Sequence, residues 1–288
     1  MLTTGKPILE AARSGHYAVA QINLNNLEWC KAALLTAERE QAPLILGVTE
    51  AAVNYMGGFR TVAGMAIGMH EDLNITVPIA LQLDHAGYEA CLQAMDAGFT
   101  AVMYDGSAKA WEENLEQTAA LAAICRRRNV SLEAEVGSIA GEEDGVVGTG
   151  ELASPEQCEA ISACGITCLA AGIGNVHGSY PADWRGLSFE TLEAIKAKTD
   201  LPLVLHGGSG IPEDMMREAI RRGICKVNVN TECQQAFAAA IRTWVHSAEG
   251  QEAKSDRLPR FLAPGVAAIE QVIAGKIRLF GSAGRAFG

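Results

Sequence analysis

No C-x-x-C pair occurs among the eight cysteines of this 288-residue sequence, so neither a redox motif nor a small disulfide framework is indicated. Cys158, Cys164 and Cys168 come closest to a cluster and read as reduced packing residues, because free cysteine is often buried. Long apolar runs are missing too, which excludes a membrane-spanning helix. The opening MLTTGKPILEAARSGHYAVA lacks a basic leader with an uninterrupted apolar core, so the expected address is the cytoplasm. Positive charge is in deficit: 23 Lys and Arg against 34 Asp and Glu give a net charge of −11. That balance argues against a nucleic-acid or anionic-membrane partner. Any phosphate must then be held by local amides, hydroxyls, cations or a metal. Linkers, low-complexity tracts and short repeats are absent as well, and a single domain over residues 1–288 is expected.

What is present is a rhythm. Short apolar runs recur at 17–24, 43–49, 77–84, 101–106, 131–137, 168–172, 202–208 and 225–230, with helix-compatible stretches between most of them. Strands buried on both faces read as such runs, and their alternation with helices implies parallel βαβ units. Eight units in a chain of this size match an α/β (β/α)8 TIM barrel, here with a C-terminal helical extension from about 232 interrupted by Pro259 and Pro264. A doubly wound open sheet is the alternative, but its G-x-G-x-x-G turn after the first strand is missing. Ser154-Pro155 predicts a helix start, and Gly98, Gly165 and Gly223 predict helix ends.

Polar residues gather where the predicted strands end: Asn23, Thr49, Asp84, Asp105, Glu135, His206, Asn228 and Asn230. In a TIM barrel that rim holds the active site. Three of the six histidines, His85, His177 and His206, sit just past apolar runs, and three such ligands suit a catalytic zinc with an open fourth position. Asp84 is either an acceptor that orients its histidine neighbour or a general base. The absence of an H-x-H pair on the first strand lowers a zinc hydrolase reading. The segment 137–151, rich in glycine and acid, is too long for a routine turn and suits a mobile lid. Glu142 and Glu143 ride on it, as catalytic groups or as solvated loop charge. Gly207, Gly208, Ser209 and Gly210 before a helical stretch, with NVNT at 228–231 beside them, form the phosphate cradle commonly found at strands seven and eight. Lys226, at the last strand, is the one candidate for Schiff-base chemistry, which a zinc site makes redundant.

Over nearly its whole length the chain resembles the class II, zinc-dependent ketose-bisphosphate aldolases, through YAVAQINLNNLEW, ITVPIALQLDH, DAGFTAVMYDGS, SLEAEVGSIAGEEDG, HGSY, LPLVLHGGSGIP, GICKVNVNTE and KIRLFGSAGRA. The resemblance implies zinc on His85, His177 and His206, with Glu135 and Asp105 near an alternative metal position. It implies Asp84 as acid/base and Glu143 as the lid group that protonates the enediolate carbon. Gly178, Gly207, Gly208, Ser209, Asn228, Val229, Asn230 and Thr231 match contacts to dihydroxyacetone phosphate, with Asn23 and Thr49 as further substrate contacts. Arg260, reaching in from a neighbouring subunit, matches a grip on a second phosphate. A monovalent cation (Na+ or K+) and a homodimer or homotetramer belong to the same expectation. The implied reaction is reversible retro-aldol cleavage of a ketose (bis)phosphate to dihydroxyacetone phosphate and an aldehyde. A zinc hydrolase and a non-catalytic sugar-phosphate-binding subunit are the rivals. Departures at Thr49-Glu50-Ala51, Ala86, Pro181 to Trp184 and Leu258-Pro259-Arg260 leave the aldehyde open.

Overall fold

The computed structural model describes residues 2–143, 146–252 and 255–286. Its strands are β1 (Val19–Asn23), β2 (Leu44–Thr49), β3 (Ile79–Ala86), β4 (Ala101–Tyr104), β5 (Ser131–Val136), β6 (Ala140–Glu143), β7 (Val146–Gly148), β8 (Cys168–Ala171), β9 (Val176–His177), β10 (Leu203–Leu205) and β11 (Ile224–Val229). Its helices are α1 (Gly5–Gly15), α2 (Leu27–Glu40), α3 (Glu50–Tyr55), α4 (Phe59–Asp72), α5 (Tyr88–Ala97), α6 (Trp111–Arg128), α7 (Pro155–Ser162), α8 (Phe189–Lys198), α9 (Glu213–Arg222), α10 (Thr231–Val245) and α11 (Leu258–Leu279). Strands β1, β2, β3, β4, β5, β8, β10 and β11 close, in that order and all parallel, into a barrel, so the expected (β/α)8 architecture is the observed one. No described helix is long and apolar enough to cross a membrane.

Strand alternation sorts the side chains into two cores. Outward residues such as Leu46, Leu81, Leu83 and Val227 pack under the helices. Inward residues Val19, Ile45, Ala80, Met103, Ala170 and Val204 fill the lower half of the barrel, where Ile8, Leu9 and Ala12 of α1 plug its floor. Helix α1 precedes the first apolar run, outside the βα alternation that revealed the others. The Asn26 side chain caps α2 by accepting from the Trp29 amide at 3.1 Å, and Ser154 caps α7. All eight cysteines are free thiols, seven of them buried.

One sequence expectation changes. Pro264 does not interrupt the last helix but lies inside α11, while Pro259 occupies its first turn, where a missing N–H costs nothing. The break falls earlier, between α10 and α11. Within the segment 137–151, expected to suit a mobile lid, β6 and β7 pair antiparallel, and β6 also pairs parallel with β9. The Asp144-Gly145 pair between β6 and β7 is a hairpin signal in the sequence, though these two residues lie outside the described ones.

Candidate active site

The carboxyl ends of the barrel strands bring Asn23, Thr49, Asp84, His85, Asp105, Glu135, His206 and Asn228 to one rim, in the register Thr49↔Asp84 and Ile22↔Val229. His177 joins them from β9, outside the barrel. Ligand atoms of His85, His177 and His206 lie within 4.8 Å of one another, as do those of His85, Asp105 and Glu135. All three rings are buried, and their centroids are 4.6 to 5.8 Å apart. His85 Nε2 and His206 Nδ1 face each other at 2.8 Å. Two imidazole nitrogens turned toward each other beside a third ring, in a pocket with carboxylates, form a donor set that fits a divalent ion.

His85 reaches this position through an unusual backbone. Its φ is +44°, in the left-handed region, where β3 slips register against β4 between Leu83 and Ala86. Such strain persists where the surroundings over-determine it. Here Asp105 holds the ring, its Oδ2 2.8 Å from Nδ1.

The electrostatics separate these groups. Burial opposes a charge on His85, but the Asp105 hydrogen bond and the charges of Asp84 and Glu135 outweigh it and raise its pKa to about 10. Asp105 is held well below the usual carboxylate range despite burial, by His85 and by the Ser107 amide and hydroxyl. Burial, then the Asp105 charge, push Glu135 well above that range. His177 is lowered to about 2 by burial and by the other two rings, and His206 is lowered chiefly by burial. The His85–Asp105 pair is therefore favoured as an ion pair, while burial favours the neutral form of Glu135.

Asp84 is 1% exposed and accepts three amide hydrogen bonds. Gln21 Nε2 (2.9 Å) and Asn23 Nδ2 (3.2 Å) both go to Oδ2, whereas Oδ1 has Asn228 Nδ2 at 3.4 Å. Oδ1 is thus the more loosely held oxygen. Beneath the rim, Glu133 joins His206, Lys226 and Gln82 in a fully buried network. Burial opposes its charge, but Lys226 and His206 hold Glu133 well below the usual range. Lys226 is mid-strand and closed off by this ion pair at 2.6 Å, not a strand-end nucleophile. Gln21, Gln82 and Glu133 were missed as site residues, and Lys226 was weighed only as a Schiff-base lysine. Each lies two positions before a rim residue (Asn23, Asp84, Glu135, Asn228), the period that signals a shared face.

The glycine loop after β10 lies against this cluster. Gly207 has φ +65°, and a Cβ there would come 2.1 Å from the Val176 carbonyl oxygen, so only glycine fits. Gly178 also has positive φ. Tyr180 accepts from the Val176 amide and donates to the Gly207 carbonyl (2.8 Å), and Asn175 donates to the His206 carbonyl, lacing the His177 segment to the loop. The Ser209 hydroxyl accepts from the Glu232 amide in the first turn of α10, which starts at Thr231 behind Asn230. Val229 ends β11 immediately before. The Glu232 carboxylate takes the Gly210 amide and pairs with Lys276. The Thr49 hydroxyl accepts from the Ala52 amide and caps α3.

Two further expected residues lie on α11 and β6. Arg260, on α11, pairs with Glu252 at 2.8 Å and lies over the Trp244 ring. Glu143 ends β6, but its side chain lies outside the described residues.

A closed parallel barrel with three histidines and a carboxylate converging at its carboxyl rim defines a barrel enzyme equipped for a divalent metal. Residues 3–285 match the family model described as fructose-bisphosphate aldolase class-II, and the chain belongs to that family. It is 49% identical over 247 residues to the fructose-bisphosphate aldolase of Mycoplasma genitalium, covering 86% of each chain. It is 46% identical over 291 residues to that of Streptococcus pyogenes serotype M1, covering 99% of each. Among solved structures, the YdjI aldolase from Escherichia coli K12 superposes with a TM-score of 0.83 at 27% identity, over 99% of this chain and 100% of that one. The enzyme is a class II aldolase, a carbon–carbon lyase that releases dihydroxyacetone phosphate and an aldehyde from a sugar phosphate by retro-aldol cleavage. Its family implies a divalent metal, typically zinc.

Proposed function

We propose that the substrate is a ketose 1,6-bisphosphate, with fructose 1,6-bisphosphate favoured by the relatives' names, cleaved between C3 and C4 at the rim described above. The observation that carries this reading is the placement of Asp84, with its loosely held Oδ1, beside three convergent histidines. His85, His177 and His206 would hold zinc, and Asp105 and Glu135, sharing His85, an alternative metal position. Bound there, zinc would supply a Lewis acid that polarises the substrate carbonyl and offsets the charge left by bond cleavage.

Asp84 takes the proton of the C4 hydroxyl as that C–O becomes a carbonyl and the C3–C4 electron pair passes to the triose fragment. The amides of Gln21, Asn23 and Asn228 all donate to Asp84 and fix the direction in which its carboxylate points. Glu143, carried on the β6–β7 hairpin, returns a proton to C3, completing dihydroxyacetone phosphate. Its phosphate lies against Gly178, Gly207 to Ser209 and Asn228 to Thr231, where the start of α10 adds the favourable field of a helix N-terminus. The aldehyde arm runs past Asn23 and Thr49 toward a cavity of about 430 Å³ lined by Asn25, Trp29, Ala52 and Tyr55. Arg260 of a neighbouring subunit meets the far phosphate in a homodimer or homotetramer. One catalytic domain, a monovalent cation beside the triose phosphate and a cytoplasmic location complete the reading.

A triose-phosphate-coupled assay over several ketose 1-phosphates and bisphosphates, with and without chelator, tests it. Equimolar dihydroxyacetone phosphate and aldehyde, lost on chelation, are expected. Phosphate release without carbon–carbon cleavage would mean a hydrolase instead.

A further inference from the structure

Glu133 lies beneath the rim and, among the described residues, is the most heavily bonded acid of the barrel interior. It is 1% exposed, on β5, one inward position below Glu135. Its Oε1 lies 2.8 Å from His206 Nε2, and its Oε2 receives Lys226 Nζ at 2.6 Å, Gln82 Nε2 at 2.9 Å and the Cys168 thiol at 3.5 Å. Lys226 is wholly buried, and Glu133 is its ion-pair partner. A buried cation and anion are costly to desolvate, and an apolar pair is often at least as stable. Stability therefore gives no reason for this pair, and His206 does.

A neutral imidazole carries one N–H, and which nitrogen keeps a lone pair is set by the partner of the other. An ionised carboxylate can only accept, so Glu133 keeps the His206 proton on Nε2 and leaves Nδ1, which faces His85 Nε2 at 2.8 Å, unprotonated. Building on the metal reading above, we propose that the Glu133–Lys226 pair is a positioning device that fixes the His206 tautomer and ring orientation, so that Nδ1 is presented as a metal ligand. Lys226 acts through Glu133: its Nζ occupies Oε2 and so directs Oε1 to the ring.

The geometry makes an opposite-sign test available. In Glu133→Gln the single amide oxygen goes to the Lys226 ammonium, turning its NH2 toward His206 Nε2 and driving the proton to Nδ1. Removing the cation as well, in Glu133→Gln/Lys226→Met, frees the amide to rotate. Its oxygen then accepts from His206, and its NH2 meets the carboxamide oxygen of a flipped Gln82.

Zinc affinity is read by competition with a chelator, the site by the absorption spectrum of the cobalt-substituted protein, and the fold by circular dichroism. Glu133→Gln should weaken zinc about 10–100-fold, the usual cost of losing a partner behind a metal-bound histidine. The double variant should regain at least about ten-fold of that loss, which a merely structural role would not produce. Zinc affinity unchanged in Glu133→Gln, or equal in the single and double variants, overturns the proposal. If the variants do not fold, nitrogen-15 NMR of the zinc-loaded wild type decides: His206 should carry its proton on Nε2, and a proton on Nδ1 overturns the proposal. Wild-type zinc affinity in His206→Ala would instead overturn the metal site and this inference together.

Discussion

Replacing Asp84 by asparagine separates its chemistry from its place in the fold. Alanine would strand the amide donors of Gln21, Asn23 and Asn228, each at about 1–3 kcal/mol if left unsatisfied. Asparagine keeps the shape, and the structure supplies its compensation. Asn228 Oδ1 is buried without a hydrogen-bond partner, so with the new amide oxygen kept toward Gln21 and Asn23, a flip of the Asn228 amide offers that oxygen to the new NH2 group. Stability should therefore change by no more than about 1 kcal/mol. A general base contributes about 10²–10⁴-fold, equivalent to roughly 2.7–5.4 kcal/mol of barrier at 1.36 kcal/mol per decade. Cleavage should fall by that factor. Exchange of the C3 proton of dihydroxyacetone phosphate needs the metal and the hairpin rather than Asp84, and should stay within a few-fold. Metal content, measured on the same preparation, should match the wild type. A parallel fall in both reactions, or a cleavage loss under about ten-fold, would falsify the assignment of Asp84 as the base.

Other consequences are equally measurable. Glu143→Ala should show the reverse pattern, with proton exchange impaired about 10²-fold or more; exchange at the wild-type rate would remove Glu143 from the mechanism. Because the His85 pKa is raised to about 10 in the metal-free protein, zinc must displace a proton. Its apparent affinity should rise about ten-fold per pH unit from about 6.5 toward 10, with one proton released in calorimetry run in buffers of different ionisation enthalpy. The same shift stabilises the metal-free fold fully below pH 6.5 and is lost as pH rises through about 10; a metal-free protein gaining stability over that interval would contradict it. Arg260→Ala should raise KM for a bisphosphate about ten-fold or more, as one charge-assisted bond is worth about 1.5–3 kcal/mol, and leave a monophosphate unaffected. Equal changes for both would assign Arg260 to assembly or to its own contacts with Glu252 and Trp244.

The eight barrel strands were legible because strands covered on both faces must be apolar, and their polar interruptions mark the rim. His85, His206 and Asp84 were legible for that reason. The left-handed backbone at His85 left no trace, since nothing in LQLDHAG signals a bulge. The β6–β7 hairpin was hidden by composition: backbone pairing with β9 holds it, and no apolar alternation was needed to bury it. The buried polar layer was visible in principle, in AQIN, LQLD, EAE and KVN, where polar residues stand two apart. It was overlooked because a lysine and a glutamate on separate strands show no relation until the barrel closes between them. Pro264 misled because a single interior proline removes one backbone hydrogen bond but does not end a helix of 22 residues.

The pairing of β6 with β9 places Gly141 opposite His177, so close that a Cβ on Gly141 would come 2.3 Å from the His177 carbonyl oxygen. The hairpin that carries the acid and the backbone that carries one imidazole are therefore one ladder, and neither can shift alone. Linkage makes such a connection symmetrical: whatever the metal adds to substrate affinity, the substrate adds to metal affinity. The enzyme should then lose its metal most readily when empty and guard it during turnover, so that depletion by a chelator slows as substrate saturates. Gly141→Ala, which wedges the two strands apart, should loosen both grips together.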